Sequence, residues 1–168
     1  LKNEIEIGVH IADVSNYIHE DSVLDNIAFK RGSSVYCPHK TINMLPAILS
    51  ENICSLKENE ERFTFSVIFR FDRNYCLLDT AYKKGVIKSR SAMTYKQCQN
   101  LIDKRNKSEL TNDLLMLKEV TNILATKFNI KTETQDEYED AHKIIDTLMI
   151  LTNKTVAEFI YNKDNENA

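Results

Sequence analysis

The stretch Arg62-Phe-Thr-Phe-Ser-Val-Ile-Phe-Arg-Phe71 leaves this chain little choice of local structure. Phe63, Phe65, Val67, Phe69 and Phe71 recur at every second position, with Arg62, Thr64, Ser66 and Arg70 between them. Successive strand residues point to opposite faces, so this alternation fits a half-buried β-strand and no helix. A second alternation lies near the start, where Ile5, Ile7, Val9 and Ile11 are interleaved with Glu4, Glu6, Gly8 and His10. Asp72-Arg-Asn74 suits a hairpin turn into another strand around residues 75–82, and Val86-Ile87 continues the extended character.

Helix signals are fewer in the first half and dominate the second. Asp21 and Ser22 can cap a short helix carrying Val23, Leu24, Ile27 and Ala28, with Asp25 completing a weak capping box and Gly32 at its end. Residues 33–37 read as extended up to Pro38, and Pro46 suits the first turn of a helix over 47–52. Thr94-Tyr-Lys-Gln97 resembles a capping box and predicts a helix with Cys98, Leu101 and Ile102 inward. Leu110, Leu114, Leu117, Val120, Leu124 and Phe128 then recur at helical spacing. Residues 129–138 are polar and predict a loop. A last helix is expected from about Glu139, with Ile144, Ile145, Leu148, Leu151 and Phe159 on one face. Strands first and helices afterwards indicate an α+β fold: a mixed sheet followed by packed α-helices. We expect one domain over 1–162, strand-rich at 1–92 and helical at 94–162, with a frayed tail at 163–168.

Composition excludes several classes. Of the 168 residues, 42% are hydrophobic and 28% charged, enough for a packed core. A net charge of −3 argues against a basic nucleic-acid coat, while leaving room for a local basic channel. Cys37, Cys54, Cys76 and Cys98 form no CxxC or Cys/His cluster, which points to reduced, buried or half-buried thiols in an intracellular protein. No apolar run approaches the ~20 residues that span a bilayer. No signal peptide is visible and the chain begins with Leu1, as expected of a fragment.

Metal-assisted hydrolysis needs carboxylates that converge. Asp13 stands alone at the end of the first strand, and Glu20, Asp21 and Asp25 lie where acids complement a helix dipole. Glu58, Glu60 and Glu61 belong to a solvated loop; Asp136, Glu137, Glu139 and Asp140 precede a helix and read the same way. No metal ligands and no catalytic residues emerge from this stretch. His10 reads as a sheet-face histidine, and the isolated glycines form no phosphate loop. Tyr36 before Pro38, and Tyr95 after Lys83, Lys84, Lys88 and Arg90, are aromatics beside basic residues, which suits single-stranded RNA. Tyrosines of a strand-rich domain also serve packing, and the residues alone leave both readings open.

Several ordered blocks resemble the catalytic RNB domain of the RNase II family of 3′-to-5′ exoribonucleases. They are IGVHIADVSNYI (7–18), RGSSVY (31–36), INMLP (42–46), ICSL (53–56), RFTFSV (62–67) and VIKSRSAMTY (86–95). The blocks are most similar to the eukaryotic branch that includes the exosome's catalytic subunit. Residues 145–157 are similar to a family helix of the form VEEFMLLANISVA.

The resemblance implies a partial RNB domain of an exoribonuclease that threads single-stranded RNA 3′ end first and hydrolyses it with Mg²⁺. Tyr36 would pack against the 3′-terminal nucleotide and Tyr95 would contact ribose. Lys88 and Arg90 would neutralise phosphates. The family's paired ribose-contacting glutamates fall on Asp146 and Thr147, one acid shortened and one lost, while Asn153 keeps the helix asparagine. Asn16 replaces a usual histidine. The family's catalytic aspartates belong to a DIDDA-like motif just before the opening strand, and its catalytic arginine lies after the last helix; neither is in this sequence. A GAL-containing stretch between the long helices is also missing. This stretch alone is therefore expected to be inactive. Exosome-type subunits would be partners, no membrane is implied, and the location would be nucleus or cytoplasm. The competing reading is a non-catalytic RNB-like module that binds RNA or protein; a third is a truncated product that does not fold stably alone, its sheet edges left open.

Overall fold

The computed structural model describes residues 4–105, 107–132 and 137–166. Its elements run β1 (Ile5–Ala12), α1 (Val23–Arg31), β2 (Val35–Cys37), β3 (Lys40–Ile42), β4 (Glu61–Phe71), β5 (Leu77–Lys88), α2 (Tyr95–Lys104), α3 (Glu109–Lys127) and α4 (Glu139–Glu166). The fold is mixed, a sheet in the N-terminal half and helices in the C-terminal half.

Strand β4 is central in a three-stranded sheet of order β1-β4-β5. The amide of Asp13 donates to the Phe63 carbonyl at 3.0 Å, and His10 Nδ1 lies 2.7 Å from Ser66 Oγ. Moving three residues back along one strand moves three forward along the other, so β1 and β4 run antiparallel. The Phe alternation does what its period predicts at one end: Val67, Phe69 and Phe71 are fully buried. At the other end Phe63 is half exposed, edge-on to Tyr17 with ring centroids 6.2 Å apart. Thr64 and Ser66, of the opposite face, are buried there instead. The β4–β5 turn is closed by Asp72, whose Oδ1 accepts from the amides of Asn74 and Cys76, both at 2.8 Å. The two extended segments expected after it are one strand, β5.

By contact, the chain divides into two units. One holds Leu1–Val9, Val67–Thr80 and Met93–Ala168; the other holds His10–Ser66 and Ala81–Ala92.

In the first unit α2, α3 and α4 pack on one another. Helix α2 starts as its capping box predicts: Thr94 Oγ1 accepts from the Gln97 amide at 3.2 Å, and Gln97 Oε1 accepts from the Thr94 amide at 2.8 Å. Helix α3 is capped by Ser108, whose Oγ accepts from the Thr111 amide. Leu114, Val120 and Leu124 of α3 and Ala141, Ile144, Leu148 and Leu151 of α4 are buried. Ile145 and Phe159, expected inward, are exposed. The buried stripe follows 141, 144, 148 and 151, and Ile145 falls on its flank. Helix α4 continues to Glu166 where a frayed tail was expected from 163; residues 167–168 lie outside the described residues. Part of the acidic loop, including Asp136, also lies outside them.

In the second unit, α1 begins at Ser22, whose Oγ accepts from the Asp25 amide, and stops at Gly32 with φ 70°. The reciprocal bond of the capping box goes from the Asp21 amide to Asp25. Its apolar side chains are not buried: Val23 and Phe29 are among the most exposed hydrophobics. Strands β2 and β3 form an antiparallel hairpin in which Tyr36 pairs with Thr41; the sequence announces β2 but not β3. The turn after Pro46 is a π-type turn over Ile48–Ile53. The cysteines depart from expectation: Cys54 is buried and Cys98 half-buried, but Cys37 and Cys76 are exposed. Cys37 sits at a hairpin tip, and the Cys76 sulfur accepts from Lys127 Nζ at 3.0 Å.

Candidate nucleic-acid interface

In the second unit the sequence blocks hold one another. Arg31 donates to the carbonyl of Asn43 at 2.8 Å, and Ser34 Oγ accepts from the Met44 amide at 2.9 Å. Arg62 Nε donates to the Ser55 carbonyl at 3.0 Å. Asp13 is the hub of the opening block and is only 5% exposed. It accepts from Ser15 Oγ at 2.6 Å and Asn16 Nδ2 at 2.7 Å, and pairs with Lys84 Nζ at 3.1 Å. Lys84 also donates to Ser15. The Ser15 hydroxyl, aided by Lys84, holds the Asp13 carboxyl below its usual range against the opposing effect of burial. Lys84 thus pairs with Asp13 while its side chain stays largely exposed.

The candidate residues of this unit sit on exposed features. Tyr36 is 81% exposed on the β2–β3 hairpin. Lys88 ends β5 and Arg90 follows two residues later, both exposed. Between them Ser89 is anchored, its carbonyl accepting from the Asn59 amide at 2.8 Å.

In the first unit, Tyr95 is the first residue of α2 and is 43% exposed. Its ring lies 3.8 Å, centroid to centroid, from that of His142, tilted by 59°. Asp146 and Asn153 follow His142 on α4 by four and eleven residues, which places all three along one side of the helix. Thr147 is fully buried with its hydroxyl unpartnered, inside the helix packing. Tyr95, Cys98, Leu114, Leu117, Ile144 and Ile145 line an apolar cleft of about 530 Å³. Burial, with Asp140 nearby, pushes the Cys98 thiol up, so it stays neutral.

Asp140, read from the sequence as a solvated acid, clasps the three helices. It accepts from Lys118 of α3 at 2.7 Å and from Gln99 of α2 at 3.3 Å, while Gln99 Oε1 accepts from the Ala141 amide at 3.2 Å. Burial alone would raise the Asp140 carboxyl, but the bonds from Lys118 and Gln99 outweigh it and hold it low. Among the described residues, no group of three or more His, Cys, Asp or Glu side chains is placed to hold a metal ion. No described helix is long and apolar enough to cross a membrane.

The RNB domain family model matches residues 1–168. The chain belongs to the RNB domain family. It is 33% identical over 187 residues to the human exosome complex exonuclease RRP44, covering 98% of this chain and 20% of that protein. It is 33% identical over 175 residues to ribonuclease R of Chlamydia trachomatis, covering 92% of this chain and 25% of that protein. The RNB chain therefore spans about a fifth to a quarter of the length of these curated relatives. Among solved structures, Mycoplasma genitalium RNase R in complex with ribose-methylated single-stranded RNA superposes with a TM-score of 0.82. The identity is 24%, covering 95% of this chain and 29% of that one. Yeast Ssd1, described as a pseudonuclease, superposes with a TM-score of 0.79 at 26% identity, covering 96% of this chain and 22% of that one.

Within this RNB chain the six candidates divide between the units: Tyr36, Lys88 and Arg90 in one, Tyr95, Asp146 and Asn153 in the other. Sequence reasoning passed over His142, which lacked any motif; its spacing of four from Asp146 was the available signal.

Proposed function

We infer that this chain supplies scaffold and RNA-positioning residues to an exoribonuclease that degrades single-stranded RNA from its 3′ end. The observation that carries this reading is the half-exposed Tyr95, at a capped helix start, beside the α4 face that bears Asp146 and Asn153. A tyrosine offers a π-face to a base and a hydroxyl to a ribose 2′-OH. Asp146 and Asn153 offer further hydrogen-bond partners for sugar hydroxyls, as the family resemblance implies. In the second unit, Tyr36 would stack on the terminal nucleotide, and Lys88 and Arg90 would meet the backbone phosphates.

The described residues do not suit the Mg²⁺ of such an enzyme. Asp13 has both carboxylate oxygens engaged by Ser15, Asn16 and Lys84, and no other cluster presents itself among the described residues. Hydrolysis itself is assigned to none of them. Full-length protein is expected to release mononucleotides from 5′-labelled or 3′-labelled single-stranded RNA only when Mg²⁺ is supplied. Residues 1–168 alone are expected to release none.

A second reading, a non-catalytic RNA-binding module, is favoured by Thr147. Where the family helix carries a second ribose-contacting glutamate, this chain buries a hydroxyl. The likeness to Ssd1 is in keeping with it. Full-length protein that binds the RNA and leaves it intact with Mg²⁺ present would select this reading over the first.

Either way, Tyr95→Ala is expected to reduce the preference for RNA over matched DNA by about three- to tenfold, the scale of losing one hydrogen bond of about 0.5–1.5 kcal/mol to the ribose 2′-OH. Filter binding of paired oligonucleotides reads it, and an unchanged ratio refutes the role.

A further inference from the structure

We propose that His142 is a positioning residue for Tyr95 and thereby sets the selectivity of this site for a ribonucleotide; the proposal rests on the reading of Tyr95 above. The capping box fixes the backbone at the start of α2 but not the ring of its first residue, which is 43% exposed. A half-exposed tyrosine explores several rotamers unless a neighbour restricts it. His142 is that neighbour, with its ring 3.8 Å from the Tyr95 ring. Tyr138 also meets the His142 ring, edge-on at 6.4 Å and 65°.

The placement of His142 is itself determined by α2. Gln99 lies four residues after Tyr95, on the same side of that helix. It grips the turn that carries His142, donating to Asp140 at 3.3 Å and accepting from the Ala141 amide at 3.2 Å. Lys118 holds the same Asp140 from α3. The His142 amide bonds the Tyr138 carbonyl at 3.0 Å, closing the first turn of α4. One side of α2 thus presents the tyrosine and sets the distance to the imidazole that packs on it. Asp146, one turn further along α4, shares the His142 side of the helix. Restricting the Tyr95 ring before any ligand arrives leaves less freedom to be lost on binding.

The test measures the affinity of the full-length protein for a single-stranded RNA and its matched DNA, with thermal unfolding followed alongside. His142→Ala is expected to lower the RNA-over-DNA ratio by about three- to tenfold, the scale of releasing one ordered side chain. His142→Phe, which keeps a ring there, is expected to restore it to within about twofold of the parent. In a Tyr95→Ala background, His142→Ala is expected to change nothing further, because the two residues act as one. An unchanged ratio in His142→Ala, beside a lowered one in Tyr95→Ala, overturns the proposal. So does an effect of His142→Ala that adds in full to that of Tyr95→Ala, or that weakens RNA and DNA alike. If His142→Ala does not fold, His142→Gln, polar and ringless, replaces it with the same expectations. Should Tyr95→Ala itself leave the ratio unchanged, the reading of Tyr95 fails and takes this proposal with it.

Discussion

Phe69→Ala is expected to cost about 3–5 kcal/mol of folding stability, the range for emptying an aromatic site in a packed core. Phe69 is 0% exposed on the central strand, and its ring stacks on Phe71 with centroids 6.1 Å apart. It is flanked in the sheet by β1 and β5, so the backbone has little freedom to collapse into the space. Domains of this size are stable by about 5–15 kcal/mol, so the variant approaches global unfolding. The control lies on the same strand. Phe63 has the same chemistry and the same alternation, but it is half exposed. Phe63→Ala is expected to lose about 1 kcal/mol, as for a side chain only partly removed from water. Urea midpoints of the two variants decide the matter: equal losses would mean that β4 is not buried unevenly along its length.

Asp13→Ala is the second large effect, about 2–4 kcal/mol, because it strips the shared acceptor from Ser15 and Asn16 and removes the carboxylate partner of Lys84. The upper end applies only if Lys84 is held; it is largely exposed and can return to water, which limits the loss. The same group contributes a pH dependence. The native carboxyl titrates below its ordinary value of 3.8, so the unfolded chain binds the proton first as pH falls. This stabilisation is fully present above that value, and falls as pH drops from there through the lower native value. Asp13→Asn, which never carries the charge, is expected to flatten this part of the acid limb of stability against pH. An acid limb unchanged in Asp13→Asn would show that Asp13 does not contribute to it.

Much of the architecture is legible in the sequence where a local rule acts alone. Period-two alternation over 62–71, the Thr94–Gln97 capping box and the Ser22 and Gly32 punctuation each depend on neighbours within four residues, and each appears in place. Rules that need a partner from elsewhere misled. Helix α1 carries Val23 and Ile27 as its sequence indicates, yet both are exposed. Ile145 fits the helical period of α4 but falls outside the stripe that α2 and α3 cover. Thr147 is polar and buried, which no hydrophobic pattern announces. Asp140 looked like one of several solvated acids, and only the arrival of Lys118 and Gln99 from two other helices makes it a clasp.

The ordered blocks from Gly8 to Tyr95 were sufficient by themselves to identify an RNB chain, because sequence order and spacing survive without any knowledge of contacts. They could not show what the residues in those blocks do. Tertiary structure assigns many of them to one another: Arg31 to Asn43, Ser34 to Met44, Arg62 to Ser55, Asp13 to Ser15, Asn16 and Lys84. A charged or polar side chain taken out of water needs a partner, and some of these partners come from a distant segment, as Lys84 does for Asp13. The ring contact of Tyr95 with His142 likewise depends on tertiary structure: 47 positions separate them in the sequence, and only the packing of α2 on α4 brings the rings together.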